Sequence, residues 1–177
     1  IYKPINLTSY DVLRKLKKFK FSKLGHAGTL DPLAEGILPI ALGKATKFIS
    51  FINENKKEYE FEIKWGEQTD TDDKEGKIIF KSSKIPSIND IEKKIKSLSG
   101  KIIQKPPFAS AIKINGKRAY DLFRKNEKFE IKSRTVEIFK ISIISSKSNK
   151  LTKFRLICGK GFYVRSFARD FGHILGT

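Results

Sequence analysis

Residues 25 to 38 read Gly25-His26-Ala27-Gly28-Thr29-Leu30-Asp31-Pro32-Leu33-Ala34-Glu35-Gly36-Ile37-Leu38, with three glycines and a proline in fourteen positions. Glycine reaches φ > 0 without steric cost, and Pro32 pushes Asp31 toward extended backbone. The stretch is therefore a tight, backbone-driven loop rather than the interior of a helix or strand, and it holds Asp31 in place. An Asp-Pro step by itself is ordinary turn chemistry, so its surroundings decide whether Asp31 does more.

Upstream, Thr8-Ser9-Tyr10-Asp11 has the form of a capping box, and Val12, Leu13, Leu16 and Phe19 follow at helical spacing. The outer face of this helix carries Arg14, with Lys15, Lys17 and Lys18 beside it, which suits a solvated face and an RNA-facing one equally. Downstream, residues 37–42 read as a short buried strand and residues 44–52 as a helix. Gly43-Lys44-Ala45-Thr46 has the outline of a phosphate-binding loop. Leu38 stands where that loop needs a glycine, however, and Ala45 follows the lysine, so a nucleoside triphosphate site is excluded.

Residues 59–65 alternate, with Tyr59, Phe61, Ile63 and Trp65 on one face and Glu60, Glu62 and Lys64 on the other, as a half-buried strand does. The acidic turn at 66–76 should repel phosphate and suits a structural turn or a positioner of basic groups. Ser87 with Asp90 caps a helix whose Ile88, Ile91, Ile95 and Leu98 form an apolar stripe closed by Gly100. Asn115-Gly116 signals a hairpin. Strands over 136–144 and 154–158 join the sheet of 59–65, and a last helix turns Val164, Phe167, Ala168, Phe171 and Leu175 to the core, with Arg165 and Arg169 on another face. Helices set among such strands argue an α+β domain with a mixed, mainly antiparallel sheet flanked by helices.

The 177 residues suit one domain, and a net charge of +18, from 37 basic against 19 acidic side chains, calls for a polyanionic partner, nucleic acid being the simplest. Cys158 alone excludes an internal disulfide, and with only His26 and His173 beside it no Cys/His zinc cluster can form, so no metal is expected. Cys158 reads as a buried small hydrophobe rather than a nucleophile. No apolar stretch approaches the ~20 residues of a membrane span, and a reduced, cytoplasmic setting is expected.

The run GHAGTLDPLAEGIL, preceded by Lys3-Pro4 and Thr8-Ser9-Tyr10-Asp11-Val12 and followed by Gly43-Lys44-Ala45-Thr46-Lys47, resembles the TruB-type tRNA pseudouridine synthases, which make pseudouridine-55 in the T loop. The resemblance continues through the KEYEF-like segment at Tyr59 and through residues 104–113. It also covers Cys158-Gly159-Lys160-Gly161-Phe162-Tyr163-Val164-Arg165, where Gly159, Phe162 and Val164 depart from the family's pattern.

The resemblance implies the pseudouridine synthase fold and a catalytic domain over 1–177 that is cut at both ends, with the C-terminal remainder and a PUA-type domain lying beyond Thr177. It implies a monomer that needs no cofactor. Asp31 takes the essential catalytic role, Tyr59 stacks on the flipped base, and Arg165 sits beside the catalytic aspartate. His26 either fills the space left by the flipped uridine or stacks on a base, or else makes a loop-stabilising hydrogen bond. Lys3, Arg14, Lys113, Arg118, Arg124 and Lys160 are the expected cationic contacts to the tRNA T stem-loop. Residues 117–134, where basic side chains interleave with Tyr120, Phe123 and Phe129, match the family's RNA-clasping insertion. Two alternatives are a guide-RNA-dependent synthase of the dyskerin type and a non-catalytic RNA-binding module.

Overall fold

The computed structural model describes residues 1–53, 56–148 and 150–177. The chain forms two compact units, Ile1–Asn55 and Lys56–Thr177.

The first unit contains β1 (Tyr2–Lys3), α1 (Ser9–Leu16), β2 (Leu24–His26), β3 (Gly36–Ile37), β4 (Ile40–Leu42) and α2 (Ile49–Asn53). The capping box starts α1 as expected: Thr8 accepts from the Asp11 backbone N–H and the Asp11 carboxylate accepts from that of Thr8. Val12 and Leu13 are buried. The helix stops at Leu16, however, and a 3-10 turn over Lys17–Phe19 ends in left-handed Lys20, which leaves Phe19 exposed rather than on the apolar stripe.

Residues 37–42 do not make one buried strand. β3 pairs antiparallel with β1 and β4 with β2, and Leu38-Pro39 separates them, Pro39 having no N–H with which to continue a ladder. Ile37 is 75% exposed. Residues 44–52 likewise split into a 3-10 turn over Gly43–Phe48 followed by α2.

The second unit contains β5 (Lys57–Lys64), β6 (Glu67–Thr69), β7 (Ile78–Lys81), α3 (Ile88–Lys96), β8 (Gly100–Gln104), β9 (Lys113–Ile114), β10 (Lys117–Arg118), α4 (Ala119–Arg124), β11 (Arg134–Ser148), β12 (Leu151–Cys158) and α5 (Val164–Leu175). Its sheet runs β5-β12-β11-β8 with every pairing antiparallel, and β6 and β7 form a separate hairpin.

The alternation in β5 appears as expected. Ile63 and Trp65 are buried, Tyr59 and Phe61 pack half-buried against the same core, and Glu58, Glu60 and Glu62 face solvent. Phe154, Leu156 and Cys158 of β12 line that core, and Phe167, Phe171 and Leu175 of α5 pack on it. Burial pushes the Cys158 thiol up to about 12, which leaves it an inert apolar group. The Ser87–Asp90 box caps α3, but Ile88, in the first turn, is 41% exposed, and the stripe begins at Ile91.

Asn115 and Gly116, both at positive φ, turn β9 into β10. Residues 117–134 are more than a loop: they include α4 and bury Ala119, Leu122 and Ile131.

Phe154 is fully buried and contacts Phe61, Trp65 and Phe171. Phe154→Ala should therefore lower unfolding free energy by about 3–5 kcal/mol, read by urea denaturation.

Candidate active site

The loop that carries Asp31 is fixed through its backbone. Ser9, buried in the first turn of α1, donates its hydroxyl to the Leu30 carbonyl at 3.1 Å and accepts from the Leu30 N–H at 2.9 Å. The Asn6 N–H donates to the Pro32 carbonyl at 2.8 Å, and the Ala34 N–H closes a turn onto the Asp31 carbonyl at 3.0 Å, with Pro32 at the position that favours its fixed φ. Asp31 is thus held from both sides in sequence while its side chain stays half-buried. Ser9 is a residue that motif reading misses, since its partner lies 21 positions away.

Gly28 takes φ +86, and the His26 Nδ1 lies 2.5 Å from the Gly28 carbonyl. A carbonyl only accepts, so Nδ1 carries the proton and His26 makes the loop-stabilising bond. Lys3 was expected among the RNA contacts. Instead it is fully buried, its ammonium donating to the carbonyls of Pro4 at 3.0 Å and Leu7 at 2.6 Å. Burial pulls its pKa below the usual lysine value, while the Asp31 and Glu35 carboxylates oppose that shift. Its charge therefore acts inside the fold.

In the second unit, the two arginines of α5 do not lie on a solvated face. Arg165 donates through one terminal nitrogen to the Thr71 carbonyl at 3.0 Å, with an Asp73 carboxylate oxygen 3.5 Å from that nitrogen, and through the other to the Ala109 carbonyl at 3.1 Å. Arg169 reaches Asp72 at 2.7 Å, Asp170 at 2.9 Å and the Lys105 carbonyl at 2.8 Å. The acidic turn does position basic groups. Gln104, buried at the end of β8, donates to the Tyr163 carbonyl at 3.0 Å and accepts from the Tyr163 N–H at 2.8 Å, so its amide pairs with the backbone where α5 begins.

Tyr59 stands half-buried opposite Leu156 in β5. The other expected cations are exposed. Arg14 pairs with Asp11 at 2.7 Å, Arg118 donates to the Ala111 carbonyl, and Arg124 lies over the Tyr120 ring at 5.7 Å. Lys113 and Lys160 present their side chains to solvent. No group of three metal-ligating side chains occurs among the described residues.

Curated relatives include the tRNA pseudouridine synthase B of Clostridium acetobutylicum, 49% identical over 99% of this chain and 61% of that protein. That of Rhizobium meliloti is 50% identical over 98% of this chain and 56% of that protein. The chain thus spans little more than half the length of these relatives. Among solved structures it resembles a chain of a Cbf5–Nop10–Gar1 complex, with 29% identity and a TM-score of 0.71 over 99% of this chain and 43% of that one. It also resembles a chain of an H/ACA RNP bound to a substrate RNA containing 2′-deoxyuridine, with 25% identity and a TM-score of 0.68 over 99% of this chain and 41% of that one. The model of the TruB family pseudouridylate synthase N-terminal domain matches residues 14–164, and the chain belongs to that family.

Proposed function

We propose that this chain is the catalytic portion of a stand-alone tRNA pseudouridine synthase that converts the T-loop uridine at position 55 to pseudouridine. The observation that carries this reading is the pinned loop: within a chain of the TruB family, Asp31 sits between backbone anchors that hold Leu30 and Pro32. The reaction breaks the N1–C1′ bond of uridine, turns the detached uracil and joins C5 to C1′. The proton lost from C5 is balanced by the one gained at N1, so atoms and electrons balance without a cofactor. A carboxylate serves this chemistry by attacking the sugar carbon as it gains positive character or by taking a sugar proton, and both roles require Asp31 to be ionised and directionally fixed.

The target base lies in a folded RNA loop and has to be flipped out before it can react. Tyr59 stacks on the flipped uracil, and Arg165 orients the catalytic carboxylate. His26 keeps the loop in shape through its bond to Gly28. Arg14, Lys113, Arg118, Arg124 and Lys160 contact RNA phosphates, and the basic segment 117–134 clasps the stem-loop. The Cbf5 likeness keeps a guide-dependent synthase as the second reading, but the identity to the tRNA pseudouridine synthase B relatives is far higher, 49% against 29%. A non-catalytic module is disfavoured because Asp31, Tyr59 and Arg165 are all present.

Asp31→Asn in the full-length protein should abolish pseudouridine formation while RNA affinity stays within about tenfold, since the swap is nearly isosteric and binding rests on the cations. Retained turnover removes Asp31 from its role. Tyr59→Leu should lower turnover far more than it lowers the melting temperature. A variant whose activity falls only because it is unfolded would identify Tyr59 as a packing residue.

A further inference from the structure

Arg169 is largely withdrawn from solvent. Each of its three guanidinium nitrogens is engaged, with Asp72, Asp170 and the Lys105 carbonyl, and its side chain is only 15% exposed. Asp72, 7% exposed, sits at φ +57, a left-handed conformation that costs a non-glycine residue some strain and persists only where the surroundings hold it. A buried ion pair of this kind adds little net stability over an apolar pair of the same volume, because desolvation offsets the attraction. The same desolvation, the largest influence on Asp72, pushes its carboxyl pKa up, against the pull of Arg169. The charges are better explained by what they fix.

What they fix are the two walls that Arg165 touches. Arg165 donates to the Thr71 carbonyl and the Ala109 carbonyl and pairs with the Asp73 carboxylate of the same acidic turn at 3.5 Å. Asp72 adjoins Thr71 in the chain, so holding its carboxylate holds that carbonyl. Lys105 is joined to Ala109 through Pro106, Pro107 and Phe108. The two prolines are buried and have fixed φ, so anchoring the Lys105 carbonyl anchors Ala109 through a stiff strut. The Ser166 hydroxyl donates to the same Lys105 carbonyl at 2.8 Å.

We infer that Arg169, with Asp72 and Ser166, is a positioning residue for Arg165: it locks the acidic turn and the proline strut to one face of α5, so that the Arg165 guanidinium keeps a single orientation when RNA loads the basic segment that follows the strut. The inference rests on the proposed role of Arg165 in the reaction.

The test uses the full-length protein and a T stem-loop under single-turnover conditions. Asp72→Asn and Arg169→Lys should each slow pseudouridine formation by about ten- to a hundredfold with RNA affinity nearly unchanged. Ser166→Ala, which removes one donor without changing charge and threatens folding least, should slow it in the same direction by a smaller factor. In an Arg165→Lys background the same three changes should cost less than about twofold, since their effect passes through Arg165. Equal costs in both backgrounds, or no cost in either, overturn the proposal.

A second readout is independent of activity. The Nε–H resonance of Arg165 in 15N-labelled protein should shift or broaden in Ser166→Ala and Arg169→Lys, and an unchanged resonance overturns the proposal. If the parent protein forms no pseudouridine, the proposed function fails and this resonance alone decides the positioning role.

Discussion

Two guanidinium groups on the first half of α5 hold two irregular stretches, the turn after β6 and the chain that follows β8. A cation withdrawn from water needs acceptors around it. Arg165 and Arg169 find theirs in the carbonyls of Thr71, Lys105 and Ala109 and in the carboxylates of the 66–76 turn. Movement of either segment would cost these buried cations an acceptor. Beneath them, the aromatic cluster of Phe61, Trp65, Phe154, Phe167 and Phe171 fixes α5 on the sheet, so the arginines project from a rigid base.

The loop around Asp31 is held by the same principle with fewer charges. Ser9 occupies both hydrogen-bonding groups of Leu30, Asn6 takes the Pro32 carbonyl, and the Lys3 ammonium ties the carbonyls of Pro4 and Leu7. In both units the side chains that shape the irregular backbone lie on neighbouring regular elements or on short strands. The loop that carries Asp31 is thereby held by hydrogen bonds within its own unit.

Features encoded within a few residues were legible in the sequence. The capping boxes at Thr8 and Ser87, the alternation of β5 and the Asn115-Gly116 turn all appear in the structure because their physics is local. Short apolar runs are less regular than their spacing predicts: Leu38-Pro39 breaks a strand, and Phe19 and Ile88 fall outside helical stripes where α1 has ended and α3 has barely begun. The supports of the site were hidden for a different reason. Ser9 meets Leu30 across 21 positions, Gln104 meets Tyr163 across 59, and Arg169 meets Asp72 across 97, so no window of sequence contains both partners. Lys3 shows the limit of motif reading from the other side, since the sequence marks the residue while burial determines what it does.

The proposed function needs no guide RNA and no accessory protein. Site-resolved pseudouridine mapping on an isolated T stem-loop, incubated with the full-length protein and nothing else, tests it most directly. Modification of a single T-loop uridine in the bare stem-loop is the predicted result. Modification that appears only when a guide RNA and accessory proteins are added would contradict it.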